Sequence, residues 1–118
     1  MSGRRPERVA EAVRDEIAAM LTREIKDPRI GMVTITAVEL SDDLKHGKVY
    51  FSCVGDSAAR DRSLAGLRSA ARFIKAQVTR RLQLRYAPDL TFVFDTSLEY
   101  AERVAQLLKQ SERTPEDE

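Results

Sequence analysis

Apolar residues recur at three- and four-residue steps in three stretches of the chain and at alternate positions in three others. Val9, Val13, Ile17, Met20 and Leu21 form a helical stripe. Pro6 suits the first turn of such a helix. Asp27-Pro28 ends it, because the residue before a proline avoids helical angles, so the first helix is predicted over about 6–25. A strand over 31–40 follows, where Val33, Ile35 and Ala37 alternate with Thr34 and Thr36. The apolar phase then slips to Val38 and Leu40, which predicts a bulge or a bend. After a polar turn over 41–46 comes a second strand over 47–54, with Val49, Phe51 and Cys53 on one face. These two strands should pair as an antiparallel hairpin.

The longest stretch, 57–85, places Leu64, Leu67, Ala71, Ile74, Val78 and Leu82 on one helical stripe facing a core. Gly55-Asp56-Ser57 offers caps at its start. Gly66 and Ser69-Ala70-Ala71 are candidate places for a bend or a close helix contact, so two tandem helices or one kinked helix are expected. A connector over 84–88 leads to a third strand, in which Leu90, Phe92 and Phe94 alternate with Thr91 and Val93. Thr96, with Glu99 three residues on, has the spacing of a capping box. It opens a last helix whose apolar face is Leu98, Ala101, Ala105 and Leu108. The order αββααβα predicts an α+β domain: a three-stranded mixed sheet with helices packed on one face. At 118 residues one domain is expected, over 1–110, followed by a disordered acidic tail over 111–118 without apolar anchors.

The whole chain has a formal charge of +1, yet the stretch 57–85 holds Arg60, Arg62, Arg68, Arg72, Lys75, Arg80, Arg81 and Arg85 against Asp61 alone. That is +7 (8 − 1), so the remainder is −6 (1 − 7) and the charge is segregated. Arg68, Arg72 and Lys75 stand at i, i+4 and i+7, a flank of one sign. A solvated face ordinarily mixes signs, and a face that repels itself is explained by an anionic partner. Arg4, Arg5 and Arg8 near the start, and Lys45 and His46 in the turn, extend the cationic set. The candidate nucleic-acid contacts are therefore Arg4, Arg5, Arg8, Lys45, His46, Arg68, Arg72, Lys75, Arg80, Arg81 and Arg85. Such groups hold phosphates and read little sequence. Without an aromatic pair placed for stacking, recognition of a structured RNA by shape and backbone is expected.

Catalysis has little to stand on. His46 and Cys53 are the sole residues of their types, which leaves no zinc site of the usual kind. There is no glycine-rich phosphate loop. Cys53 lies on the apolar phase of a strand, the setting of an inert core thiol. Asp27, Asp42 and Asp43 read as turn residues serving the backbone, and Asp95 as a strand-end or capping residue. The sequence thus predicts a non-enzyme with no cofactor, no metal and no small-molecule substrate. No apolar run is long enough to span a bilayer, and no apolar signal segment follows the basic start. With one cysteine, a cytoplasmic protein is expected, monomeric when free.

Three blocks in register resemble the ribosome-binding factor A family: Lys26-Asp27-Pro28-Arg29-Ile30-Gly31 with Val33-Thr34-Ile35-Thr36; Val38 to His46 with Lys48-Val49-Tyr50; and Arg80 to Phe92 with Asp95-Thr96-Ser97-Leu98. The resemblance spans about 5–108. It implies a type II KH-like fold and a non-enzymatic factor in ribosome biogenesis. Such a factor binds the small (30S) ribosomal subunit and its 16S rRNA and acts in late rRNA processing, notably in cold. KH domains clamp RNA with a Gly-x-x-Gly loop, which this chain lacks. The family is similar in lacking it and carries an Ala-x-Gly kink, where this chain reads Ala70-Ala71-Arg72. The alternative is a protein-interaction module that carries a basic helix. Salt separates the two, since phosphate binding weakens steeply with salt and an apolar interface does not.

Overall fold

A computed structural model describes residues 5–111. Its elements are α1 (Pro6–Arg23), β1 (Val33–Leu40), β2 (His46–Cys53), α2 (Ser57–Arg81), β3 (Asp89–Phe94) and α3 (Ser97–Ser111). The strands form one mixed sheet in the order β1-β2-β3. β1 runs antiparallel to β2, and β2 parallel to β3. The register between β1 and β2 shifts between Ile35 and Ala37, leaving Thr36 as the extra residue. That bulge moves the inward face from Val33 and Ile35 to Val38 and Leu40, the slip visible in the hydrophobic pattern.

The core lies between the sheet and two helices. Val9, Val13, Ile17 and Met20 of α1 and Leu67, Ile74 and Val78 of α2 pack with Ile35, Val49, Phe51 and Phe92. Burying these side chains is the main source of stability. Gly47 sits in the central strand between Leu40 and Leu90, its register partners on either side. A Cβ there would meet Leu40 Cδ2 at 2.6 Å, so the flanking leucines close over the glycine.

Three features differ from the sequence expectation. Of the two forms expected for 57–85, two tandem helices or one kinked helix, the first is ruled out: α2 is one uninterrupted element of 25 residues, with Ala70-Ala71-Arg72 inside it. Gly66 serves close approach to a loop: a Cβ there would lie 2.5 Å from Ile30 Cγ1. Beside it the Ser63 hydroxyl accepts the Gly31 N–H at 3.3 Å. The second correction concerns the start of α3. Asp95 Oδ1 accepts the Ser97 N–H at 2.8 Å, and no bond joins Thr96 to Glu99 among the described residues. A carboxylate is a stronger acceptor than a hydroxyl and takes the cap. Third, α3 buries no residue. Leu98 is 65% exposed and Leu108 58%, so its apolar face lies outside the core. Ser111 closes α3, and the tail over 112–118 lies outside the described residues.

Candidate nucleic-acid interface

Four element ends meet at one pole of the domain. Pro6 and Glu7 at the start of α1 share a groove with Leu40 and Asp42 at the end of β1. Arg8 shares another with Arg81, Leu82 and Gln83 at the end of α2. The Lys45 carbonyl accepts the Asp89 N–H at 2.8 Å, which ties the β1–β2 turn to the start of β3. Arg5, Arg8, Lys45, His46 and Arg85, widely spaced in the chain, are therefore placed at this pole, whereas Arg80 stands near Glu24, past the other end of α1. Arg4 lies outside the described residues.

The turn that carries Lys45 is built by Asp43. Its carboxylate accepts the Ser41 hydroxyl at 2.6 Å and the Lys45 N–H at 3.0 Å. Those two bonds, helped by the charges of His46 and Lys45, hold the Asp43 carboxyl below the ordinary carboxylate range. Leu44 adopts φ 61 to close the turn. His46 is displaced from the expected turn into β2, where it pairs with Asp89.

From the pole a cationic flank runs along α2. Arg68 and Arg72 are exposed and make no ion pair among the described residues. Lys75 donates to Asp89 Oδ1 at 2.6 Å, which links the flank to β3. That bond and the lysine charge keep the Asp89 carboxyl below its ordinary range. Seven residues of helix span about 10 Å, so Arg68, Arg72 and Lys75 are spaced to follow successive phosphates.

Arg81 does not join this flank. Its guanidinium donates to both Glu24 oxygens at 2.7 and 2.6 Å and lies 3.6 Å from Glu16. The bidentate pair with Arg81 lowers the Glu24 carboxyl. Arg81 thus braces α2 against α1 and the residues that follow it. Arg80 donates to Gln77 within its own helix.

Tyr86, which sequence reasoning did not single out, stands against two cations of this set. Lys45 Nζ lies 4.9 Å from the ring centre and Arg85 Cζ 5.6 Å. The Arg85-Tyr86 adjacency was visible in the sequence, but the approach of Lys45 from 41 residues away (86 − 45) had no signal.

Comparison with known proteins decides the family. The ribosome-binding factor A model matches residues 5–108, nearly every described residue. The chain belongs to the ribosome-binding factor A family. It is 46% identical over 112 residues to ribosome-binding factor A of Heliobacterium modesticaldum, covering 95% of this chain and 93% of that one. The Geobacter metallireducens protein of the same name is 44% identical over 107 residues, 91% of each chain. Among solved structures, the crystal structure of ribosome-binding factor A from Thermus thermophilus superposes with a TM-score of 0.66. It is 26% identical and covers 75% of this chain and 93% of its own. A Thermus thermophilus ribosome-binding factor A homology model, fitted into the cryo-EM map of a 30S–RbfA complex, gives a TM-score of 0.64 at 25% identity, covering 77% and 96%. Membership confirms the resemblance, and the α+β fold with its mixed three-stranded sheet is that of the family's structures. Among the described residues no group of three or more metal-ligating side chains occurs, and no helix is long and apolar enough to cross a membrane.

Proposed function

We propose that this chain is a non-enzymatic ribosome assembly factor that binds the small ribosomal subunit through the backbone of its 16S rRNA. The observation that carries this is the placing of Arg5, Arg8, Lys45, His46 and Arg85 at one pole. The flank Arg68-Arg72-Lys75 continues it, with two of its three members unpaired. A cluster of cations with unpaired members is an electrostatic footprint for a polyanion. Family membership and the relative fitted into a 30S–RbfA complex support the identity of that polyanion. Arg72, at the place where the resemblance implies the family's glycine, adds a cation to this surface. Arg81, held by Glu24 and Glu16, serves the fold instead. The chain acts in the cytoplasm, as a monomer when free and without cofactor, in late processing of the small-subunit rRNA and in growth in the cold.

The test is co-sedimentation with purified small subunits across a salt series. Binding at low salt should fall steeply as salt rises, because phosphate contacts release counterions. Failure to sediment with the subunit would refute the proposal, and a flat salt response would favour a protein-interaction module. In a strain lacking its own factor, the chain should restore mature small-subunit rRNA at low temperature, read by primer extension at its ends.

A further inference from the structure

Tyr86 is an anomaly on a surface otherwise made of charge and backbone. The ring is 49% exposed, although the segment that carries it is firmly held. Leu84 N–H donates to the Thr79 carbonyl at 2.9 Å, and Gln83 N–H to the Arg80 carbonyl at 3.2 Å. Two residues beyond the ring, Pro88 is fully buried. Asp89, next in line, is bonded to Lys45 through its backbone and to Lys75 through its side chain. The backbone that carries the ring is therefore held on both sides, the residue is half open to solvent, and Lys45 and Arg85 stand over the ring within cation–π range.

A ring so placed is prepared for a flat π-partner. Lys45 and Arg85 stand over the ring, and a phosphate that draws these two cations to itself leaves the ring face to a flat partner. The nucleotide that owns that phosphate then brings its base to the ring. Little ordering is lost on binding, because the connector is already held at both ends. We infer that Tyr86 stacks on an unpaired nucleobase of the bound RNA, next to phosphates held by Lys45 and Arg85. The inference rests on the rRNA reading above and adds to it. The cations follow the backbone, and Tyr86 selects a place where a base is free of its own stack, such as a bulge, a loop or a strand end. Phe73, on α2 and 43% exposed, has no cation near its ring among the described residues and lacks this arrangement.

The experiment compares two labelled strands of equal length, an oligouridylate and an abasic ribose-phosphate strand, by fluorescence anisotropy with the full chain. The native protein should prefer the strand with bases by about 5- to 150-fold, the range for one stacked base. Tyr86→Leu should lose that preference with an unchanged salt slope, and Tyr86→Phe should keep it; circular dichroism confirms that both are folded. Since the chain has no tryptophan, Tyr86→Trp supplies a single indole whose emission should be quenched by the oligouridylate and by the small subunit. It should not respond to the abasic strand. Equal affinity of the native protein for both strands, with the salt dependence intact, would overturn the stack and leave the electrostatic reading standing. Subunit binding undiminished in Tyr86→Leu, with an indole that does not respond to the subunit, would overturn it as well. Failure to bind either strand or the subunit would overturn both.

Discussion

Arg81 shows how a single residue can belong to a charge run by sequence and to the framework by structure. The sequence places it among eight cations; its partners Glu24 and Glu16 come from the other end of the chain. Glu24 is one of several carboxylates held below their ordinary range, with Asp27 bonded to Arg29, Asp89 to Lys75, and Asp95 to Ser97 and Thr36. A depressed carboxyl stabilises the fold at any pH above its unfolded pKa, and that contribution is lost as pH falls through the folded value. The melting temperature should therefore be level near neutrality and fall as pH drops below about 4. Because these groups are exposed, each contributes little alone. Glu24→Gln should lower the neutral-pH melting temperature slightly and make the acid fall shallower, as read by calorimetry. Parallel pH profiles for the variant and the native protein would show that the Arg81 pair adds nothing. The mirror case is Lys75. A flank with Asp61 as the sole acid of its own helix suggests free cations, and the carboxylate of Asp89 arrives from a strand that begins 14 residues later (89 − 75). Cross-element partners of this kind leave no mark on local spacing, which is why the apolar stripes were legible and the ion pairs were not.

At the scale of elements, hydrophobic period carried most of the information. Leu67, Ile74 and Val78 were assigned to the core side of α2, and all three are fully buried. Ile74→Ala should cost about 2–5 kcal/mol in urea unfolding, the range for a buried aliphatic truncated in a packed site; a much smaller loss would place Ile74 outside the core. The slip after Ala37 was legible for the same reason, since a bulge changes which alternate residues face inward. Period alone misled at the end of the chain. Leu98, Ala101, Ala105 and Leu108 repeat as in any core-facing helix, yet α3 follows β3 without entering the core. An amphipathic pattern shows that a helix has an apolar side and not where that side is covered. If α3 adds nothing to the fold, ending the chain after Thr96 should leave the domain cooperatively folded. Its melting temperature should shift by no more than about 4 °C. A large loss would mean that α3 packs on the domain in solution.

Over the whole molecule, the question is whether the pole and the α2 flank act as one surface. Two paired substitutions divide it. Arg68→Ala with Arg72→Ala removes two exposed cations that make no ion pair among the described residues, so nothing in the fold is broken and repulsion along the helix is relieved. Lys45→Ala with Arg85→Ala removes two cations from the pole together with their contacts to the Tyr86 ring. Each lost phosphate contact flattens the logarithmic salt slope by about one unit. Each pair should thus reduce the slope by about two, and the combined variant by about four. A contiguous strip requires both reductions. A slope altered by only one pair would confine the contact to that end. Lys75→Ala supplies an internal check, because it does more than remove a charge. It leaves Asp89 without its partner, placing an uncompensated carboxylate between the two cationic ends. Its effect on subunit affinity at low salt should therefore exceed that of Arg72→Ala, although each variant removes one cation. Adding Asp89→Asn should recover the difference. No such recovery in the double variant would separate Asp89 from the binding surface and break the continuity between flank and pole.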